Sequence, residues 1–309
     1  MTLTTKSGAA LAPAAYGCMQ WGGTADAGAA KAMFETCLNA GLTHFDTAHI
    51  YTEGRSEAML GPLVQDQRDD VYVATKVNYH HPLTAANIRS SLDESLNRMG
   101  LADVDLLYLH RFDPTTPMED TFEGLAALQS DGLIRHIGVS NFAAWQVMKA
   151  QGIAATFGSK IDVMQPMYNI VKRQIEVEIL PMAADQDIQI CAYSPLGGGL
   201  LTGKYASGAG GRLHDSDMYA KRYGPGWMHD AAAGLSQLAE DRGVPAATLA
   251  VAWLRRHAPQ VHPILSARSV EQLAPSLAGL TYTMDDSTYL AITALAPTPP
   301  PATDRIEEA

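Results

Sequence analysis

Residues 41–61, GLTHFDTAHIYTEGRSEAMLG, decide how the rest of the chain is read. Gly41 stops one helix, residues 43–47 make a short buried strand, and a second helix runs over 56–64. Asp46 stands at the end of that strand, with Tyr51 five residues later in the loop beyond it. The same strand-then-helix unit recurs on either side. Residues 14–20 read as a first strand broken by Gly22 and Gly23. Asp26 then caps a helix on which Ala30, Met33, Phe34, Cys37 and Leu38 share one face. Downstream, 71–75 is extended, and Thr84 caps a helix carrying Ile88, Leu92, Leu96 and Met99 that stops at Gly100. Residues 104–109 form the continuous apolar run of a strand buried on both faces. Helices over 118–128 and 142–148, and one over 173–184 bent near Pro181, alternate with strands at 134–139, 161–164, 188–193 and 261–265.

Strand and helix thus alternate about eight times without a composition break. The pattern predicts a single α/β domain over residues 1–309, a closed (β/α)8 TIM barrel. The competing open, doubly wound sheet would announce a GxGxxG turn after its first strand, and GCMQWGG does not fit it. Two pieces fall outside the repeat. The glycine-rich stretch 206–229 has the length of a functional lid, and the proline-rich tail from 297 is expected to be loosely ordered.

Composition narrows the functional class. The net charge of −11 lacks the basic footprint that a nucleic-acid partner requires, although a local basic pocket for a phosphorylated cofactor stays open. Cys18, Cys37 and Cys191 lie among apolar neighbours with neither a CxxC pair nor zinc spacing, as buried thiols in a reducing compartment would. The first residues make a poor signal peptide, and no apolar run approaches the ~20 residues of a membrane span. A cytoplasmic enzyme is the expectation; oligomeric state is not legible.

In a barrel the C-terminal strand ends converge on one mouth. Asp46, Lys76 and His110 fall at the ends of strands two, three and four, with Tyr51 just past strand two. A tyrosine of ordinary pKa ~10 is a poor acid, but an ammonium ~4 Å away at an effective dielectric of ~20 favours the phenolate by roughly 4 kcal/mol. Desolvation opposes part of that shift. Asp46 would keep Lys76 charged, and His110 would hydrogen-bond to a carbonyl oxygen or help protonate it. Together the four polarise and protonate a C=O group, and they contain no nucleophile. Taken singly, each has a plainer reading: Asp46 as a turn former, Lys76 as a solvated strand end, His110 as a structural histidine. His44, His49, His80, His81 and His110 also raise a metal site, but no HxH or HExxH spacing supports one.

The motifs FDTAHIY with SEAMLG, ATK, YLHR, GVSNF, QPMYN, YSPLGGGLLTGKY and SARSVEQL occur in this order from about Gly17 to Ser276. In this the chain resembles the aldo-keto reductase family, nearest its aflatoxin aldehyde reductase branch, with potassium-channel β subunits as cousins. The resemblance implies Tyr51 as general acid with Asp46, Lys76 and His110, and NADPH bound across the barrel mouth. It implies Ser140, Asn141 and Gln165 on the nicotinamide carboxamide, whose donors and acceptors those side chains suit. Tyr193 would stack on the ring. Residues 194–199, with Ser194, Pro195, Leu196 and Gly198, would cradle the pyrophosphate, closed over by Lys204 and Arg212. Arg268 would meet the 2′-phosphate and Gln272 the adenine; Gly17, Met19, Ser266 and Ser276 complete the cofactor set. Pro275 and Ser276 depart from the family's acidic residue or glutamine followed by asparagine.

Substrate contacts are expected from Met19, Gln20 and Trp21, from Asn78 and Tyr79, from Arg111, and from Tyr219, Arg222 or Trp227 of the lid, around an aldehyde or ketone. The alternatives to a carbonyl reductase are a nicotinamide-binding regulatory subunit with slow turnover and a metal-dependent hydrolase.

Overall fold

The computed structural model describes residues 2–205, 208, 210–303, 305 and 307. Its strands are β1 (Ala15–Gly17), β2 (His44–Asp46), β3 (Tyr72–Val77), β4 (Val104–Leu109), β5 (Ile134–Ser140), β6 (Val163–Gln165), β7 (Gln189–Ala192) and β8 (Val261–Leu265). They close in sequence order into one barrel, and the pairs from β1 to β7 are parallel. The predicted (β/α)8 barrel is therefore the fold. The helices are α1 (Ala27–Asn39), α2 (Arg55–Val64), α3 (Ala85–Met99), α4 (Met118–Ser130), α5 (Ala144–Thr156), α6 (Ile179–Asp185), α7 (Arg212–Asp215), α8 (Asp217–Arg222), α9 (Gly226–Glu240), α10 (Ala246–His257), α11 (Val270–Thr281) and α12 (Asp286–Thr293).

Two compact units divide the described residues: the chain up to Pro166 with Met182–Cys191 and Ser266–Val270, and Met167–Pro181 with Ala192–Leu265 and the residues from Glu271 onward. In the first unit, Asp26 Oδ1 accepts the Ala29 N–H at 2.8 Å, and Met33, Phe34 and Cys37 turn inward from α1. Gly100 ends α3 at φ 65°, a left-handed stop that favours glycine. Asp105 is the one charge in the run VDLLYL. It is fully buried, and Arg68 and Arg135 each donate to it at 2.6 Å while the Val73 N–H does so at 2.9 Å. A buried carboxylate is tolerated when so completely paired.

The helix expected over 173–184 is split into a tight turn at Gln174–Glu176 and α6. The reason is polar: Glu176 takes hydrogen bonds from Tyr168 at 2.7 Å and from Arg173 at 2.9 Å, which fixes the turn before the helix begins. The stretch read as a lid is not one open loop. Residues 206, 207 and 209 lie outside the described residues, and from Arg212 the chain forms α7, α8 and the start of α9. In the tail, residues 297–300 line a cleft of about 440 Å³ with Lys172, Trp227 and Met228.

Candidate active site

Register places the first pair of groups. Asp46 ends β2 opposite Ala74, and Lys76 lies two residues further along β3. The Lys76 ammonium bonds the Asp46 carboxylate and donates to the Thr47 carbonyl at 2.8 Å, with its side chain wholly buried. The second carboxylate oxygen of Asp46 accepts from Gln165 Nε2 at 2.8 Å. Burial alone would pull the Lys76 ammonium down, but the Asp46 carboxylate and then Tyr51 hold it above its ordinary range. Lys76 therefore keeps its proton without access to solvent.

Tyr51 opens the turn after β2, and Lys76 Nζ lies 4.8 Å from the centre of its ring. His110, which directly follows β4, meets the same ring edge-on at 5.8 Å. Tyr79 also packs edge-on against His110, at 4.9 Å, and the Arg111 guanidinium covers Tyr79 at 5.0 Å. Burial, reinforced by Lys76, His80 and Arg111, pushes the His110 imidazole down to about 3. The ring is neutral at any working pH, so it offers a hydrogen-bonding N–H and no imidazolium proton.

The three residues expected at a carboxamide lie beside these groups. Asn141 stands at φ 59°, donating to the His110 carbonyl at 3.0 Å and to Ser140 Oγ at 3.1 Å. Ser140 Oγ donates to the Gln165 carbonyl at 2.9 Å. Gly17, at the end of β1, pairs with Asp46, and Met19 is exposed just beyond it. Ser266 also belongs to this unit, and its hydroxyl is buried with no partner among the described residues. Arg268 is half-buried between β8 and α11.

Within the second unit, Tyr193 bridges to Met167. Residues 194–199 wind tightly, with Ser194 at φ 58°, Gly197 at 58°, Gly198 at 66° and Gly199 at 98°. A Cβ on Gly198 would come within 2.8 Å of the Tyr219 ring, and at Gly199 the φ of 98° is itself a conformation that a side chain disfavours. Pro195 is buried and Leu196 half-buried in that turn. The Arg212 guanidinium lies 5.5 Å from the Tyr219 ring centre. Gln272 is exposed on α11, whereas Ser276 is buried on it.

Of the expected substrate contacts, Trp21 is fully buried, and its indole N–H donates to the Tyr16 hydroxyl at 3.2 Å. Gln20 is buried too. Two residues escaped the sequence reading altogether: Glu57, a fully buried carboxylate on α2, and Arg98 on α3 that pairs with it at 3.2 Å. The signal was an acid on the inward face of RSEAMLG.

The aldo/keto reductase family model matches residues 14–297. The chain is 39% identical over 206 residues to aflatoxin B1 aldehyde reductase member 2 of Mus musculus, covering 64% of this chain and 56% of that relative. It is 31% identical over 287 residues to a probable voltage-gated potassium channel subunit beta of Oryza sativa subsp. japonica, covering 86% of each. It is also 32% identical over 289 residues to aldo-keto reductase family 7 member A3 of Homo sapiens, covering 85% of this chain and 86% of the relative.

Proposed function

The chain belongs to the aldo/keto reductase family, and from that membership we propose that it reduces aldehydes or ketones to alcohols with NADPH, Tyr51 being the general acid. The observation that carries this reading is the buried Lys76–Asp46 pair set 4.8 Å from the Tyr51 ring. A charged ammonium in a dry site favours loss of the phenolic proton, and Asp46, fixed by Gln165, keeps that ammonium charged and in place. His110, being neutral, orients the substrate oxygen by donating a hydrogen bond while Tyr51 delivers the proton. Tyr79 and Arg111 flank His110 and would face the rest of the substrate.

The cofactor, when bound, supplies the hydride. The residues fit such a group: Ser140, Asn141 and Gln165 present amide-compatible partners beside the tetrad, and the Ser266 hydroxyl is buried with an unused hydrogen bond. In the second unit, Tyr193 is the candidate for ring stacking. The turn over 194–199, with Lys204 and Arg212, is the candidate for the pyrophosphate. Arg268 is assigned to the 2′-phosphate, Gln272 and Ser276 to the adenine end. Among the described residues no helix is long and apolar enough to cross a membrane, and the reading carries a cytoplasmic enzyme.

The test is consumption of NADPH with 4-nitrobenzaldehyde by the purified chain beside Tyr51→Phe. Robust turnover abolished by the substitution supports the reading; equal turnover by both proteins removes Tyr51 as the acid. The channel-subunit relative favours a second reading, a nicotinamide-binding regulatory subunit. Tight NADPH binding with negligible turnover over a panel of aldehydes, ketones and sugars would select it.

A further inference from the structure

Tyr51 opens a turn that its own backbone resists. Thr52 stands at φ 48°, Glu53 at 60° and Gly54 at 86°, three successive left-handed residues of which two carry a Cβ. Such a turn persists only when its surroundings hold it. One hold comes from the loop after β1, where the Trp21 carbonyl accepts from Thr52 Oγ1 and the Gly22 carbonyl from Arg55 Nε, each at 2.7 Å. The backbone adds two more, His49 N–H to the Lys76 carbonyl at 2.9 Å and Tyr51 N–H to the Ala48 carbonyl at 3.0 Å, and a further one comes from Arg98 on α3. Its Nη1 donates to the His49 carbonyl at 2.9 Å and to Glu57 Oε2 at 3.2 Å, and its Nη2 donates to Glu94 at 3.3 Å. The same guanidinium lies against Gly54, where a Cβ would come within 2.8 Å of its Cζ. Glu57 has no exposure, and its other oxygen accepts the Thr75 hydroxyl at 2.7 Å.

We propose that Arg98 and Glu57 are positioning residues for carbonyl reduction. They form one fork that fixes the His49 carbonyl, two residues before the acid, and the Thr75 hydroxyl, one residue before the lysine. Neither side chain reaches the reacting atoms; together they set how closely the Tyr51 phenol approaches the Lys76 ammonium. A simple stabilising pair between α2 and α3 would need neither the His49 carbonyl nor the contact with Gly54. The inference rests on Tyr51 being the acid.

Two variants probe it from opposite sides. Arg98→Lys keeps a positive charge near Glu57, but an ammonium cannot hold His49, Glu57 and Glu94 in one planar fork. Gly54→Ala leaves every charge in place, and its Cβ, at φ 86°, strains the turn and presses on the guanidinium together. Both full-length proteins are assayed with NADPH and 4-nitrobenzaldehyde, with rates expressed per cofactor-binding site counted by fluorescence titration. The expected result is a fall in kcat of about tenfold or more, with NADPH affinity and substrate KM within about twofold. The alkaline limb of the kcat profile should also move to higher pH, because the phenol no longer has the ammonium at its side. Wild-type kcat per binding site with an unmoved limb in both variants overturns the inference. So does a kcat loss that disappears on that normalisation. Tyr51→Phe is run in parallel: if it retains activity, the acid assignment itself fails, a result distinct from either of these.

Discussion

Replacing Lys76 with methionine is the sharpest perturbation of the site. Nζ stands 4.8 Å from the Tyr51 ring centre. At that separation and an effective dielectric of ~20, its charge favours phenolate over phenol by about 3.5 kcal/mol, or roughly 2.5 pH units of acidity. Desolvation of the phenolate opposes part of this, and general acid catalysis is typically worth about 10²–10⁴-fold. Lys76→Met is thus expected to lower kcat by roughly 100-fold and to move the alkaline limb of its pH profile upward by one to two units. Stability complicates the measurement, because removing one partner of a buried ion pair costs about 3–5 kcal/mol. Burial already raises the Asp46 carboxyl, so the orphaned acid takes up a proton and part of that cost is avoided. Stopped-flow reduction of 4-nitrobenzaldehyde, with the folded fraction fixed by circular dichroism and NADPH titration, gives the rate per folded molecule. The double variant Asp46→Asn/Lys76→Met should regain stability without regaining rate. Retention of more than about a tenth of wild-type kcat with an unmoved limb would refute the reasoning, since general acid assistance could not then depend on the ammonium.

Further expectations concern pH and cofactor. Because His110 is held down at about 3, kcat should show no acid limb between about pH 5 and 7; a step near the ordinary histidine value would mean that the ring does titrate. Burial likewise lowers His262 to about 4. Unfolded histidines bind protons at ~6.5, so the unfolded state gains protons first as pH falls, and stability present above ~6.5 is lost progressively toward 4 and then 3. Urea midpoints at pH 7 and 5 check this, and equal midpoints would refute it. Glu176 has the opposite charge type: burial tends to raise it, but hydrogen bonds from His257, Arg173 and Tyr168 outweigh that and hold it at about 2. Its contribution is full above the ordinary carboxylate value and is lost as pH falls toward 2, so Glu176→Gln should flatten the acid end of the stability curve. Arg268→Ala should weaken NADPH much more than NADH in parallel titrations; equal weakening would take Arg268 off the 2′-phosphate.

The barrel was legible because its strands obey a burial rule visible in single residues. Runs such as VDLLYL are apolar throughout when both faces are covered, and the helix stops at Gly41 and Gly100 are backbone necessities. Asp46, Lys76 and His110 could be placed at strand ends for the same reason. What sequence could not supply was the partner of each polar group. For Trp21 that partner is the Tyr16 hydroxyl. Glu57 drew no reading at all, and its two oxygens are seen on Arg98 and Thr75. Residues 173–184 read as one helix until Tyr168 and Arg173 are seen holding Glu176. Each case turns on a particular hydrogen bond, information that periodicity does not carry.

That limit bears on why the proposed acid, Tyr51, sits on a loop. Asp46 and Lys76 belong to strands, where backbone pairing fixes their positions to within a rotamer. Tyr51 lies past the strand, on a left-handed turn held by its N–H on the Ala48 carbonyl at 3.0 Å, by the fork of Arg98 and by the hydroxyl of Thr52. A strand-borne tyrosine would be as rigid as the lysine, but its side chain would be confined to the pleat directions, perpendicular to the sheet. Carrying the phenol on a strained turn frees it to reach across to both Lys76 and His110, and moves the burden of precision to residues outside the tetrad. Variants of those outside residues should therefore change kcat while leaving the Lys76–Asp46 pair intact. The strand-borne groups should behave in the opposite way, losing stability and rate together.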